Sequence, residues 1–440
     1  MRHSTIIRIA IGFLTVVLLL GVFAYGVVAQ RYGIFPYAYI DDVEAAVEWF
    51  LDRSPGNAPW YYVKTKRTAA VTDKRKNRTH ELNLVTSIGP NHKIEVRVVN
   101  MAGDTVHSWD IDWFDIWPDP QHVRPGDRPQ SAPGGHVHGI VMLDDGSIVF
   151  NFEKLAMVRM GLCGEIIWKL PYRTHHSVFE AEDGNLWTAG MKVHETALDK
   201  YPMHVAPVRE TSVLKISPDG EILREISVFD LLANNELRPW LHMGADKKSN
   251  AVSGDALHLN DVELFPSDMQ SDIFSPGDIM LSLRNINSIL VFDRKTLQIK
   301  YWRTGGFVRQ HDPDFVADGK ITVFDNNFIG PPGYGQNSRI IAIDPVTDSA
   351  ETVFTGTSSE PFYTKIMGKH QWLPDGSLLL TDSINGRAIQ VNKDGDTVWE
   401  FVNLVDEGVV GIVEEVQRLE PRFAKLIDGY QCDANYGNTT

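Results

Sequence analysis

The chain is poor in cysteine, with two in 440 residues, Cys163 and Cys432. So few thiols exclude a fold built on a disulfide framework; they allow a single bridge without specifying it. Positive charge is also in short supply. Lys and Arg number 42 against 57 Asp and Glu, for a net charge of −15. Binding a phosphate backbone needs a basic face, so the composition argues against nucleic acid as a partner. Helical periodicity is missing as well: from about Asn83 onward no long stretch keeps it. What is present is a packed composition, 43% hydrophobic and 10% aromatic, which is globular and not disordered.

The one long apolar run is at the start. Arg2, His3 and Arg8 precede an uncharged segment from Ile9 to Gln30. Roughly 20 apolar residues cross a bilayer as a helix, whereas a cleavable signal core has about 7–15. A retained anchor is the favoured reading. Val27-Val28-Ala29 also fits a small-residue cleavage site, which leaves a secreted product as the alternative. Basic residues ahead of the span put the rest of the chain on the periplasmic or exterior side. Asp41 to Leu51 reads as a short amphipathic helix with acidic residues in its first turn, stopped by Ser54-Pro55-Gly56. Lys64 to Arg78 is basic and turn-rich, a solvated linker that could touch anionic head groups. The expected division is therefore an anchor at 1–30, a juxtamembrane helix and linker at 31–81, and a β domain at 82–440.

In that β domain, short β-branched runs alternate with turns of two families. One comprises Asp145-Gly146, Asp183-Gly184, Asp318-Gly319 and Asp375-Gly376. The other includes Gly103-Asp104, Gly164-Glu165, Gly220-Glu221 and Gly395-Asp396. Asp-Gly supplies the positive φ of tight hairpins. The repeating unit is four antiparallel strands every 40 to 50 residues or so, the pattern of a β-propeller blade. Six units begin near Asn83, His136, His175, His258, His311 and Met367. An all-β, six-bladed β-propeller behind the N-terminal transmembrane helix and short amphipathic helix is the predicted fold. Phe229 to Asp255 reads as an inserted excursion, and Ile412 to Leu419, after the last unit, as a segment that completes an incomplete blade and so closes the ring.

Histidine keeps register with the first turn family. His138, His176 and His311 each precede their Asp-Gly turn at the same distance; His370 does so at a shorter one. His258-Leu259-Asn260 opens a similar run. The first strand of a propeller blade lines the channel, so His138, His176, His258, Asn260 and His311 are expected at one mouth, with His136, His175 and His370 as further members. Arg284 ends the second strand of the His258 unit and would reach the same side. Imidazoles, an amide and a guanidinium suit an oxyanion such as sulfate or phosphate. A neutral imidazole can attack sulfur or phosphorus while a second one manages the proton.

From about Leu82 to Phe423 the chain resembles the bacterial arylsulfotransferases. The resemblance is carried by His175-His176-Ser177-Val178-Phe179, His258-Leu259-Asn260 with Arg284, and Gln310-His311-Asp312 with Thr322-Val323-Phe324-Asp325-Asn326. His370-Gln371-Trp372-Leu373-Pro374-Asp375-Gly376 and Ala388-Ile389-Gln390-Val391 are also family-like. These enzymes are six-bladed propellers that move a sulfuryl group from an aryl sulfate to a phenol without a nucleotide donor. The resemblance implies an aryl sulfate donor and a phenolic acceptor as partners, and no cofactor or metal. It implies that His311 is transiently sulfated, with His258, His176, Arg284 and Asn260 holding the group and the developing charge. His138, His175 and His370 are expected to contact substrate, and Trp187, Phe328, Tyr334, Tyr363 and Trp372 to frame a flat one or to pack the core.

The chain departs from the best-studied members, which are soluble and have an additional N-terminal β domain. Two other readings stay open. Imidazoles in a propeller channel also suit a transition metal, as in an oxygenase or lyase. The third is a non-enzymatic propeller anchored as a binding module.

Overall fold

The computed structural model describes residues 2–32, 59–75, 80–247, 249–330, 337–429 and 432. The chain separates into two compact units, 1–62 and 63–440. In the first, one helix runs Arg2–Tyr32, and its Ile11–Ala29 segment, with mean hydropathy 2.5, is long and apolar enough to cross a membrane. The amphipathic helix expected at 41–51 lies outside the described residues, as does Tyr334.

The second unit is a propeller. Six antiparallel sheets of four strands or more succeed one another among the described residues. The innermost strands are Val413–Arg418, Val137–Met142, Thr174–Glu180, Leu259–Leu264, His311–Val316 and Lys369–Trp372. Each touches the next around a ring, and Lys369–Trp372 returns to Val413–Arg418. The first sheet is built from both ends of the domain. Val413–Arg418 pairs with Leu82–Ile88, with Val416 opposite Val85, so the segment expected to close the ring does so.

The Asp-Gly turns form as their chemistry requires. Gly146 has φ +82°, a conformation that costs glycine least. The Asp145 carboxylate accepts from the Ser147 backbone N–H and hydroxyl, and Asp375 repeats this with Ser377. Between sheets the core is apolar. Leu259, Val262, Leu281 and Leu290 pack with Trp187, Ala189 and Val213 of the preceding sheet. Trp187 is thus a core residue and cannot frame a substrate.

Two expectations meet the structure in detail. The excursion between the third and fourth sheets holds a helix, Val228–Asn234, capped by the Ser227 hydroxyl, and its Phe229, Leu231 and Leu232 join the core. The basic stretch after Lys64 is not all linker. Val71–Asp73 pairs with Thr397–Val402 as a fifth, outer strand of the sixth sheet. Its one large aliphatic residue, Val71, packs against that sheet's core.

Candidate active site

The innermost strands do not enter the ring regularly. Pairing with the second strand breaks between Val137 and Ile140, His175 and Val178, Leu259 and Asp261, and His311 and Asp314. Extra residues in one strand of a pair bend it and redirect its side chains. Here the bends coincide with the histidines: His176 has φ +60°, His258 +54°, and Gly139 and Asp312, each following a histidine, +86° and +49°. A Cβ at Gly139 would fall onto the His176 carbonyl, so glycine is needed for the two strands to approach.

The bends deliver five imidazoles to one place. His176 is the hub, its ring centroid 4.7 Å from His138, 5.0 Å from His258, 5.1 Å from His175 and 6.3 Å from His311. All are buried except His258, which is partly so. Three are fixed through Nδ1. That atom lies 3.0 Å from Glu414 Oε2 in His138, 2.8 Å from Asp255 Oδ2 in His258, and 2.6 Å from Asn326 Oδ1 in His311. The partners decide the tautomers. Asn326 donates its amide N–H groups to the carbonyls of Thr364 and Met367, so its oxygen can only accept from His311. The Arg309 carbonyl, 3.1 Å from the same Nδ1, is an acceptor too. Nδ1 of His311 therefore carries the proton, and Nε2 keeps its lone pair. The Asp255 carboxylate likewise accepts the hydrogen bond from Nδ1–H of His258.

Burial, with help from the Arg284 guanidinium, holds His311 well below the ordinary imidazole value. Burial does the same to His176, lowers His175 to about 4, and lowers His258 despite Asp255. These rings are neutral at pH 7. His138 is the exception: burial would lower it, but Glu414 raises it. Glu414, buried at 1% side-chain exposure, also lies 3.0 Å from His136 Nδ1. Its bonds to His136 and His138 outweigh burial and hold it at about 2.

Arg284 follows the second strand of the fourth sheet, its backbone N–H bonded to the His258 carbonyl. Its guanidinium forms no ion pair among the described residues, and its Nε is buried without a hydrogen-bond partner. Burial and the nearby Arg309 lower it to about 10, against the pull of Asp255 and Glu153, so it stays charged. Asn260 gives one amide N–H to the Gln310 carbonyl, directly before His311, and its Oδ1 has no partner. Glu153 receives the His176 backbone N–H and lies 3.5 Å from His176 Nδ1.

His370 is seated elsewhere. Its Nδ1 is 3.0 Å from Asp312, and its Nε2 is 2.7 Å from the Thr322 hydroxyl and 3.4 Å from Asp314. The carboxylates that hold the imidazoles, Glu414, Asp255 and Glu153, were not evident in the sequence. One signal was available for Glu414: it is the second residue of the closing strand, as His138 and Asn260 are of theirs.

A crystal structure of a Bacteroides caccae protein of unknown function shares the fold, with a TM-score of 0.50 at 11% identity over 78% of this chain and 99% of that one. TolB of Acinetobacter baumannii (0.42, 13%, 77% and 66%) and virginiamycin B lyase of Staphylococcus aureus (0.34, 15%, 60% and 69%) are also similar. No curated protein matches the sequence. The family model described as Arylsulfotransferase (ASST) matches residues 139–404, a span that contains His176, His258, Asn260, Arg284 and His311. The chain belongs to the arylsulfotransferase family.

Proposed function

We propose that the protein transfers a sulfuryl group from an aryl sulfate to a phenol by way of a sulfated His311. The observation that carries this is the His311 ring itself, neutral, with Nδ1–H held by Asn326 and Nε2 left as a free base, close to an arginine that forms no ion pair among the described residues and whose Nε is unpartnered. In the first half-reaction the Nε2 lone pair forms a bond to sulfur as the bond from sulfur to the aryl oxygen breaks. The phenolate departs with that electron pair and is protonated by solvent. In the second, the acceptor phenol gives its proton to a base, its oxygen attacks sulfur, and the electron pair of the N–S bond returns to Nε2. Arg284 and the second amide N–H of Asn260 are suited to the sulfuryl oxygens, where preorganised donors act most strongly. His258, with its Nδ1–H held by Asp255 and its Nε2 unprotonated, is assigned to take the proton of the acceptor phenol, and His176 supports it. His138 and His175 complete the wall.

The experiment is incubation with a chromogenic aryl sulfate and a phenol, followed by mass spectrometry. The expected result is turnover and a sulfated peptide containing His311, both lost in His311→Asn with the fold intact. Undiminished turnover by that variant overturns the reading.

A metal-dependent reaction is favoured by one observation: ligand atoms of Glu153, His175 and His176 lie within 4.8 Å of one another. Arg284 and Lys154, 3.8 Å from Glu153, oppose a cation there. Stoichiometric transition metal in protein purified without chelators would reverse the preference.

We also assign the propeller to the periplasmic or exterior side of the inner membrane, anchored through Ile11–Ala29. The Cys163–Cys432 disulfide supports this, because such bonds persist in oxidising compartments. Full-length chain with its N-terminus intact in washed membranes is the expected result.

A further inference from the structure

A cavity of about 230 Å³ lies inside the ring, next to the imidazole cluster along the innermost strands. The residue that follows each of His176, Asn260, His311 and Glu414 lines it: Ser177, Asp261, Asp312 and Glu415. These innermost strands thus each carry a site residue and, directly after it, a lining residue. The innermost strand of the sixth sheet gives the cavity Lys369. Its ammonium stands between two of the lining carboxylates. Nζ is 2.8 Å from Asp312 Oδ1 and 3.6 Å from Asp261 Oδ1. Burial would lower Lys369, but Asp312, Glu415 and Asp261 together hold it well above its ordinary value. Burial would raise Asp312, but Lys369 and His370 hold it below the ordinary carboxylate range. The Lys369–Asp312 pair is therefore charged at pH 7.

Asp312 is the residue that turns the His311 strand. It has φ +49°, within the bend that breaks pairing between His311 and Asp314. Such backbone is uncommon outside glycine, and here the side chain is held at both oxygens. Lys369 binds Oδ1, and the His370 backbone N–H donates to Oδ2 at 2.6 Å. Just ahead of them in the chain, the Met367 carbonyl accepts from Asn326, which orients the His311 ring. Asp261 sits at the corresponding break after Leu259. Asp261 and Asp312 repel each other, and the ammonium between them turns that repulsion into a tie.

We propose that Lys369 is a positioning residue for the transfer: its ammonium ties the strand of Asn260 to the strand of His311 and so fixes amide and nucleophile relative to each other. The assignment rests on sulfuryl transfer at His311. Lys369 acts through Asp312 and Asp261 on the alignment of Nε2 with sulfur, where a displacement of about 1 Å costs about a hundredfold in rate.

The test compares full-length protein in detergent with Lys369→Ala, using a chromogenic aryl sulfate and a phenol. The variant's kcat should fall about tenfold or more while KM stays within about threefold. Lys369→Ala leaves space for the lost propylamine in a cavity that reaches solvent beside Asp314, whose side chain is 30% exposed. Propylammonium chloride should therefore restore kcat saturably, and sodium chloride at equal strength should not. Undiminished kcat in the variant overturns the proposal. So does a loss that propylammonium fails to repair, which would assign Lys369 to the fold alone. Should Lys369→Ala not fold by circular dichroism, Lys369→Ala with Asp261→Asn, which removes one charge of each sign, is held to the same outcomes. A second readout needs no turnover. The ring carbon NMR signal of His311, identified by its loss in His311→Asn, should shift in the variant and return with propylammonium. An inactive parent defeats the proposed function, and this signal then decides the assignment: unmoved in the variant, it overturns it.

Discussion

At His311 the position of one proton decides what the ring can do. Were Nε2 protonated, no lone pair would face the site. Asn326 prevents this because its own N–H groups are spent on two backbone carbonyls. Asn326→Ala is therefore expected to lower kcat for aryl sulfate turnover by about tenfold or more and to leave KM nearly unchanged, since it touches no substrate; steady-state kinetics on the two proteins checks this. The same ring makes a prediction about pH. Acid protonates Nε2 and removes the nucleophile, and an ordinary imidazole would do so at 6.5. Burial and Arg284 push His311 well below that value. The acid limb of kcat/KM should thus fall clearly below pH 6.5, with activity flat between pH 6.5 and 7.5. An inflection at 6.5 or above would mean that another group is titrating.

The six innermost strands follow one pattern with one informative exception. Where the distance from histidine to the Asp-Gly turn is preserved, at His138, His176 and His311, the strand carries extra residues that break its pairing, and the ring turns to the common site. His370 lies nearer its turn, and its strand pairs without a break from Lys369 to Trp372. Its ring ends between Asp312 and Thr322 instead. The spacing was visible in the sequence and marked the histidines; that the missing residues were those of a bend was not. Turn chemistry and the four-strand repeat were legible because each depends on local pattern. Glu414 was not legible as the partner of His138, because 276 residues separate them. That pair supplies the prediction at this scale. Glu414 is held at about 2 against an ordinary 4.5, so its contribution is present above 4.5 and is lost as pH falls towards 2. His138 is raised above its ordinary 6.5, so its contribution is present below 6.5 and is lost as pH rises through its folded value. Glu414→Gln should therefore cost most between about pH 4.5 and 6.5, by about 3 kcal/mol, and least at pH 2–3. Denaturant melts of both proteins across that range measure it.

A ring of sheets is only as firm as its closure, and here the closure rests on the end of the chain. Val413–Arg418 pairs with Leu82–Ile88 within the first sheet. The chain then continues into the helix Pro421–Gly429, whose Phe423 and Ile427 are buried. Leu426 of that helix lies beside the Asp145-Gly146 turn of the second sheet, and Arg422 pairs with Asp144 at 2.6 Å. Just beyond, Cys432 bonds to Cys163 in the last hairpin of the second sheet. The C-terminal segment thus bridges two sheets, and the disulfide holds its far end. The linked cysteines are 269 residues apart, a loop long enough for cross-linking to stabilise by about 5–6 kcal/mol in the chain-entropy account. In a chain of this length that corresponds to a Tm loss of about 5–10 °C in Cys163→Ser or under reductant. Position matters more than size. Without the bond, the closing strand keeps its hydrogen bonds but loses the anchor that follows it, so opening should begin there. Hydrogen exchange should quicken first in Val413–Arg418 and Leu82–Ile88, while the third and fourth sheets keep their protection. Uniform loss of protection around the ring would show instead that the bond acts only on the unfolded chain.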